Sequence, residues 1–122
     1  MLLTGFAAMA LFAQAPVADG AVDAVAYDSL VEGRNAAAIA ELELAEDQNQ
    51  DDPARLINLG VAYANQGMEA KARAMFEAAM RGNDRMSLET ANGEWKDSRH
   101  LAREALRLLE KGQFRTERMA AR

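Results

Sequence analysis

Cysteine is absent from this 122-residue chain, which excludes disulfides, thiolate zinc sites, iron–sulfur clusters and thiol nucleophiles together. Only non-covalent packing can hold the fold. Aromatic residues make up 6% of the chain, a scarcity that fits an alanine-rich helical protein better than a sandwich or barrel. Positive charge is nearly missing from the first half: residues 1–52 carry one Arg against ten acids, whereas residues 53–122 carry thirteen basic groups against nine acids. The net charge of −5 thus divides into halves of −9 and +4, and an acidic whole lacks the basic surface from which nucleic-acid binding draws its affinity. No nucleophile elbow, P-loop, GxGxxG, HExxH or deaminase signature occurs. Ser98 stands near His100 but reads as a helix cap, and Ser29 and Ser87 have no His nearby. Catalysis has no visible apparatus, so the chain is expected not to be an enzyme and to need no cofactor.

What is present begins with an apolar leader. Residues 1–15, MLLTGFAAMALFAQA, carry no charge, and the first acid is Asp19. The apolar run falls short of the roughly 20 residues that span a membrane, and Ala13-Gln14-Ala15 supplies the small-x-small pattern a signal peptidase accepts. Residues 1–18 are therefore expected to be a signal peptide cleaved near 15–18, with no stable membrane span afterwards. The other reading keeps them as an N-terminal apolar segment packed on a cytoplasmic domain.

The body of the chain repeats itself. Shifted by 34 positions, residues 19–52 overlie 53–86 with identities at Gly33/Gly67, Ala36/Ala70, Ala38/Ala72, Ala40/Ala74, Glu43/Glu77, Ala45/Ala79 and Asn49/Asn83. In the second copy Gly60 and Ala72 are small residues where two antiparallel helices would cross, while Leu56, Leu59 and Tyr63 fill one helical face. Asp52 before Pro53 gives a cap followed by proline at the first helical position, and Gly67 ends the helix. Leu56, Leu59-Gly60, Tyr63, Ala72, Phe76 and Ala79 fall at the offsets of the tetratricopeptide signature, with Asp84 in place of its final proline. The second copy resembles that family closely; the first is divergent, with Val22, Val25-Ala26 and Ser29 at the first-helix positions.

Beyond Met86 the pattern stops. Met86 to Lys96 contains Asn92-Gly93 between alternating residues, a hairpin signal. A two-residue turn would set Thr90 opposite Trp95 and Glu89 opposite Lys96, with Leu88, Thr90 and Trp95 on one packed face. Asp97-Ser98 then caps a helix running to about Lys111 and stopped by Gly112. Since two repeats are fewer than a stable stack usually needs, this helix is expected to seal the array. Residues 113–122 read as a basic tail. The expected fold is all-α: two tetratricopeptide-like hairpins (19–52 and 53–86), then a β-hairpin and capping helix over 87–112.

The family resemblance implies a non-enzymatic interaction module of the bacterial envelope, placed in the periplasm by the leader. It also implies a partner-binding groove on the first helix of each repeat: Asp23, Tyr27, Leu30, Ile57, Val61, Ala64 and Asn65. Asp23, Ile57 and Val61 stand where a clamp for C-terminal carboxylates would want basic or amide groups, so the groove suits an extended or helical segment with apolar anchors. Arg99, Arg103, Arg107 and Lys111 recur every four residues as a basic stripe. That stripe faces either solvent or an acidic partner or lipid headgroup, with the chain's own Glu41, Glu43, Glu46 and Asp47 as another target. Self-association through the acidic and basic halves is the alternative function. His100, one turn from Glu104 and near Asp97, lacks the three or four convergent ligands a metal needs.

Overall fold

The computed structural model describes residues 13–14, 26–44, 50–90 and 92–114. Most of these are helical: α1 (Tyr27–Val31), α2 (Asn35–Leu44), α3 (Pro53–Asn65), α4 (Glu69–Arg81) and α5 (Ser98–Glu110). A small antiparallel sheet joins β1 (Ala13–Gln14), β2 (Ser87–Thr90) and β3 (Trp95–Asp97) in the order β1-β2-β3.

Local chemistry sets the helix boundaries. Asp52 accepts the Ala54 amide at 3.0 Å as N-cap of α3, with Pro53 following where a missing N–H is harmless. Asp97 does the same for α5, accepting from the Arg99 and His100 amides at 2.9 and 3.2 Å. The α1–α2 and α3–α4 turns close identically. Gly33 and Gly67, at φ +77° and +80°, stand just past their helices. In the first turn the Gly33 amide donates to Leu30 O and the Arg34 amide to Ser29 O; in the second the Gly67 amide donates to Ala64 O and the Met68 amide to Tyr63 O. Each pair satisfies two helix-end carbonyls, and each needs a left-handed residue that glycine adopts without Cβ strain.

The core gathers around α3. Every residue of α3 from Pro53 to Ala64 is buried, because α1, α2, α4, α5 and β1 all pack against it. Its closest neighbour is α4, where Gly60 lies beneath the Phe76 ring so tightly that an added Cβ would stand 2.4 Å from a ring carbon. Ala38, Leu42, Ala72, Phe76, Leu101 and Ala102 are fully buried around it.

Two expectations need correction. Phe114 belongs to the core and not to a tail: it is 1% exposed and stacks on Phe76 at 6.2 Å between centroids; residues 115–122 lie outside the described residues. The hairpin register is also shifted by one. Glu89 pairs with Trp95 and Leu88 with Lys96, because the loop has three residues. The Gly93 amide closes a turn onto Thr90 O, the Thr90 amide donates to Glu94 O, and Gly93 takes φ +84°. A one-residue slip exchanges faces, so Leu88 and Thr90 are buried while Trp95 is 58% exposed. Trp95 is thus no lid, and Lys96 pairs with Glu104 and Glu94 instead of Glu89.

Candidate functional site

The residues expected to line a groove do not form an open one. Leu30, Ile57, Val61 and Ala64 are each at most 1% exposed and belong to the core. A concave wall requires an uncovered face on the first helix of each repeat, whereas here α5 and β1 pack on α3 as well as its repeat neighbours do. Asn65 is half-buried and donates to Asn35 Oδ1 at 3.1 Å, tying the end of α3 to the start of α2. Asp23 lies outside the described residues, and Tyr27 opens α1.

The basic stripe is shorter than expected. Arg99 turns back and donates from Nη2 to Gly82 O at 2.9 Å, satisfying the end of α4. Arg103, Arg107 and Lys111 remain exposed, with no ion pair among the described residues. The negative end of the α5 dipole favours the last two. Of the acids named as possible targets, Glu41 accepts the Ser29 hydroxyl and Glu43 the Tyr63 hydroxyl, each at 2.8 Å; Glu46 and Asp47 lie outside the described residues. His100 Nε2 meets Glu104 Oε1 at 2.8 Å on the surface. No group of three potential ligands gathers for a metal among the described residues.

An open concavity lies elsewhere, between α2, α3 and α4. This cleft of about 340 Å³ has Leu56, Leu59, Met75 and Ala78 as its apolar lining and Glu43, Asp51, Gln50 and Tyr63 as its polar lining, with Arg55 beside them. Arg55 is 4% exposed. Its Nε donates to Leu42 O at 2.9 Å and its Nη1 to Gln50 O at 3.2 Å, so a guanidinium caps the carbonyl end of α2, where a cation is favoured. A sequence signal for this existed: Arg55 is the one charged residue in α3, PARLINLGVAYAN, and a helix apolar on all sides is a buried helix. The Lys71 ammonium stands 5.5 Å from the Tyr63 ring centroid at the same cleft. Chemically, the site offers apolar walls and two carboxylates for a segment with an apolar anchor and basic flanks.

The two helix-capping aspartates titrate in opposite directions. Burial raises the Asp52 carboxyl above its ordinary value, against the Ala54 amide and Arg55, which pull it down. The Arg85 hydrogen bond holds the Asp97 carboxyl below its ordinary value. For Asp52 the folded state binds the proton more tightly, so its ionisation costs stability at neutral pH. That cost is relieved as pH falls through the raised folded value. For Asp97 the contribution is favourable above pH 3.8 and is lost as pH falls through the lowered folded value. Asp52→Asn, which keeps a capping side chain, is therefore expected to hold or raise the urea midpoint at pH 7, while Asp97→Asn lowers it. A fall in both at pH 7 would contradict this assignment.

No protein-family model, curated protein or solved structure matches the chain. No helix among the described residues is long and apolar enough to cross a membrane.

Proposed function

We propose that the chain is a tetratricopeptide-like, non-enzymatic protein–protein interaction module, exported to the bacterial periplasm on removal of residues 1–18. One observation carries the reading: the α1–α2 and α3–α4 turns, 34 residues apart, close through the same pair of backbone bonds around Gly33 and Gly67. Buried Ala38 and Ala72 follow at the same spacing. This is what a repeated helix hairpin requires. The partner segment docks at the cleft between α2, α3 and α4, with an apolar residue against Leu56, Leu59 and Met75 and basic residues near Glu43 and Asp51. The second reading, self-association through acidic and basic halves, is favoured by Arg103, Arg107 and Lys111 standing exposed with no ion pair among the described residues.

The test is a photo-crosslinker at Met75 in a C-terminally tagged chain, with mass spectrometry of captured protein and of the tagged protein's N-terminus. The expected result is a mature start between Pro16 and Asp19 and one dominant envelope partner, lost on combined Glu43→Lys and Asp51→Lys substitution in a chain that still melts normally. Crosslinks only to a second copy, no longer formed when irradiation is done at high salt, would favour the second reading. An intact Met1 in a cytoplasmic complex would overturn export alone.

A further inference from the structure

Strand β2 is the middle strand of the sheet, and different partners hold its two edges. On one side β3 follows it directly through the three-residue loop. On the other, Ala13 and Gln14 lie antiparallel to it from far upstream, opposite Thr90 and Glu89 respectively. Thr90 turns both its backbone groups toward the β3 side, donating to Glu94 O at 2.8 Å and accepting from the Gly93 amide at 2.9 Å. By the alternation of an antiparallel ladder, Glu89 turns its N–H and C=O toward the β1 side. β1 also packs against α3, so the β2 edge and the helix form one continuous recipient. Two residues make an unusually short strand, which places the specificity in what receives it.

We propose that the β2 edge, with the flank of α3 beside it, is a strand-accepting site for an extended segment of small and polar residues. The precursor fills it with Ala13–Gln14, and the processed chain offers it to a partner. The second clause rests on the export reading above; the existence of the site does not. The recognition chemistry follows from the register. Main-chain bonds to Glu89 supply the attachment, as in other cases of strand addition to a sheet edge. The position opposite Thr90 lies on the buried side of the sheet, where Leu88 is 0% and Thr90 2% exposed, and therefore demands a small apolar residue. The next position lies opposite Glu89 on the outer side that also carries exposed Trp95, and takes a polar one. Ala13 followed by Gln14 has that order.

The experiment uses the full chain and a fluorescein-labelled peptide with the sequence of residues 9–18. In the full chain the in-cis strand competes with the peptide. In Gln14→Pro the strand loses the N–H it needs for the ladder, and the peptide should bind at least about tenfold more tightly, the ratio for an edge occupied in cis about nine-tenths of the time. Adding Glu89→Pro removes the β2 amide that faces Gln14 while the Thr90 bonds to the β3 side remain, and proline is tolerated where a strand's N–H lies on an open edge. Binding should then be lost with the far-UV circular dichroism and cooperative melt retained. Equal binding to the full chain and Gln14→Pro, no binding to Gln14→Pro, or binding that survives Glu89→Pro would each overturn the proposal. Should the Glu89→Pro chain not melt cooperatively, hydrogen exchange decides. Added peptide must restore the Glu89 protection lost in Gln14→Pro, and unchanged exchange overturns the site. An uncleaved leader in cells would remove the export reading and leave this peptide result standing.

Discussion

Val61→Asp is expected to leave the full chain largely unfolded at pH 7. Val61 is 0% exposed on a helix buried along nearly its whole length. Burying an unpaired charged group costs roughly 4 kcal/mol or more, which approaches the whole stability of a marginal domain, about 5–15 kcal/mol. Far-UV circular dichroism and urea titration check it directly. A Val61→Asp chain with a wild-type urea midpoint would mean that α3 presents Val61 to an open groove, the arrangement the repeat pattern alone implies. Ile57→Asp serves as the duplicate measurement, because Ile57 is equally buried.

Gly60→Ala should destabilise the protein, although the same change in an exposed helix interior gains about 1 kcal/mol. The added methyl would meet three Phe76 ring atoms at 2.4, 2.7 and 2.9 Å, and Phe76 has little room to retreat, being fully buried and stacked on Phe114. Overpacking of this kind costs about 1–3 kcal/mol, so a fall in melting temperature of roughly 5–10 °C is expected for a domain of this size. Phe76→Leu in the Gly60→Ala background should recover part of the loss. A coupling of at least about 1 kcal/mol in the double-mutant cycle would locate the strain between the two residues. Additive effects would place the clash elsewhere.

The helix boundaries were the most legible part of the fold, because capping and termination are chemistry within a few residues. Asp52-Pro53, Gly67, Asp97-Ser98 and Gly112 all stand where a helix starts or stops. The hairpin register was not legible in the same way. Asn92-Gly93 serves a two-residue turn and also a three-residue loop with glycine in the left-handed position, and the choice between them decides the face on which Trp95 falls. Burial of the expected groove depended on elements distant in sequence. Nothing within α3 names α5 or β1 as its neighbours, although its near-absence of charge was a cue that no face of it meets water. Arg55 was missed for the complementary reason, since a basic residue reads as solvated until the α2 carbonyl that receives it is in place. A strand as short as Ala13–Gln14 carries no periodicity at all.

The hairpin register also has a spectroscopic consequence. Trp95 is the only tryptophan, and its indole already stands in water for more than half its surface. Its emission should therefore change little when the chain unfolds, so a flat fluorescence trace in urea would not report a stable protein. The same indole lies across from Glu89, so quenching by acrylamide is expected to respond to whatever covers the outer face of the hairpin while remaining nearly blind to the helical core.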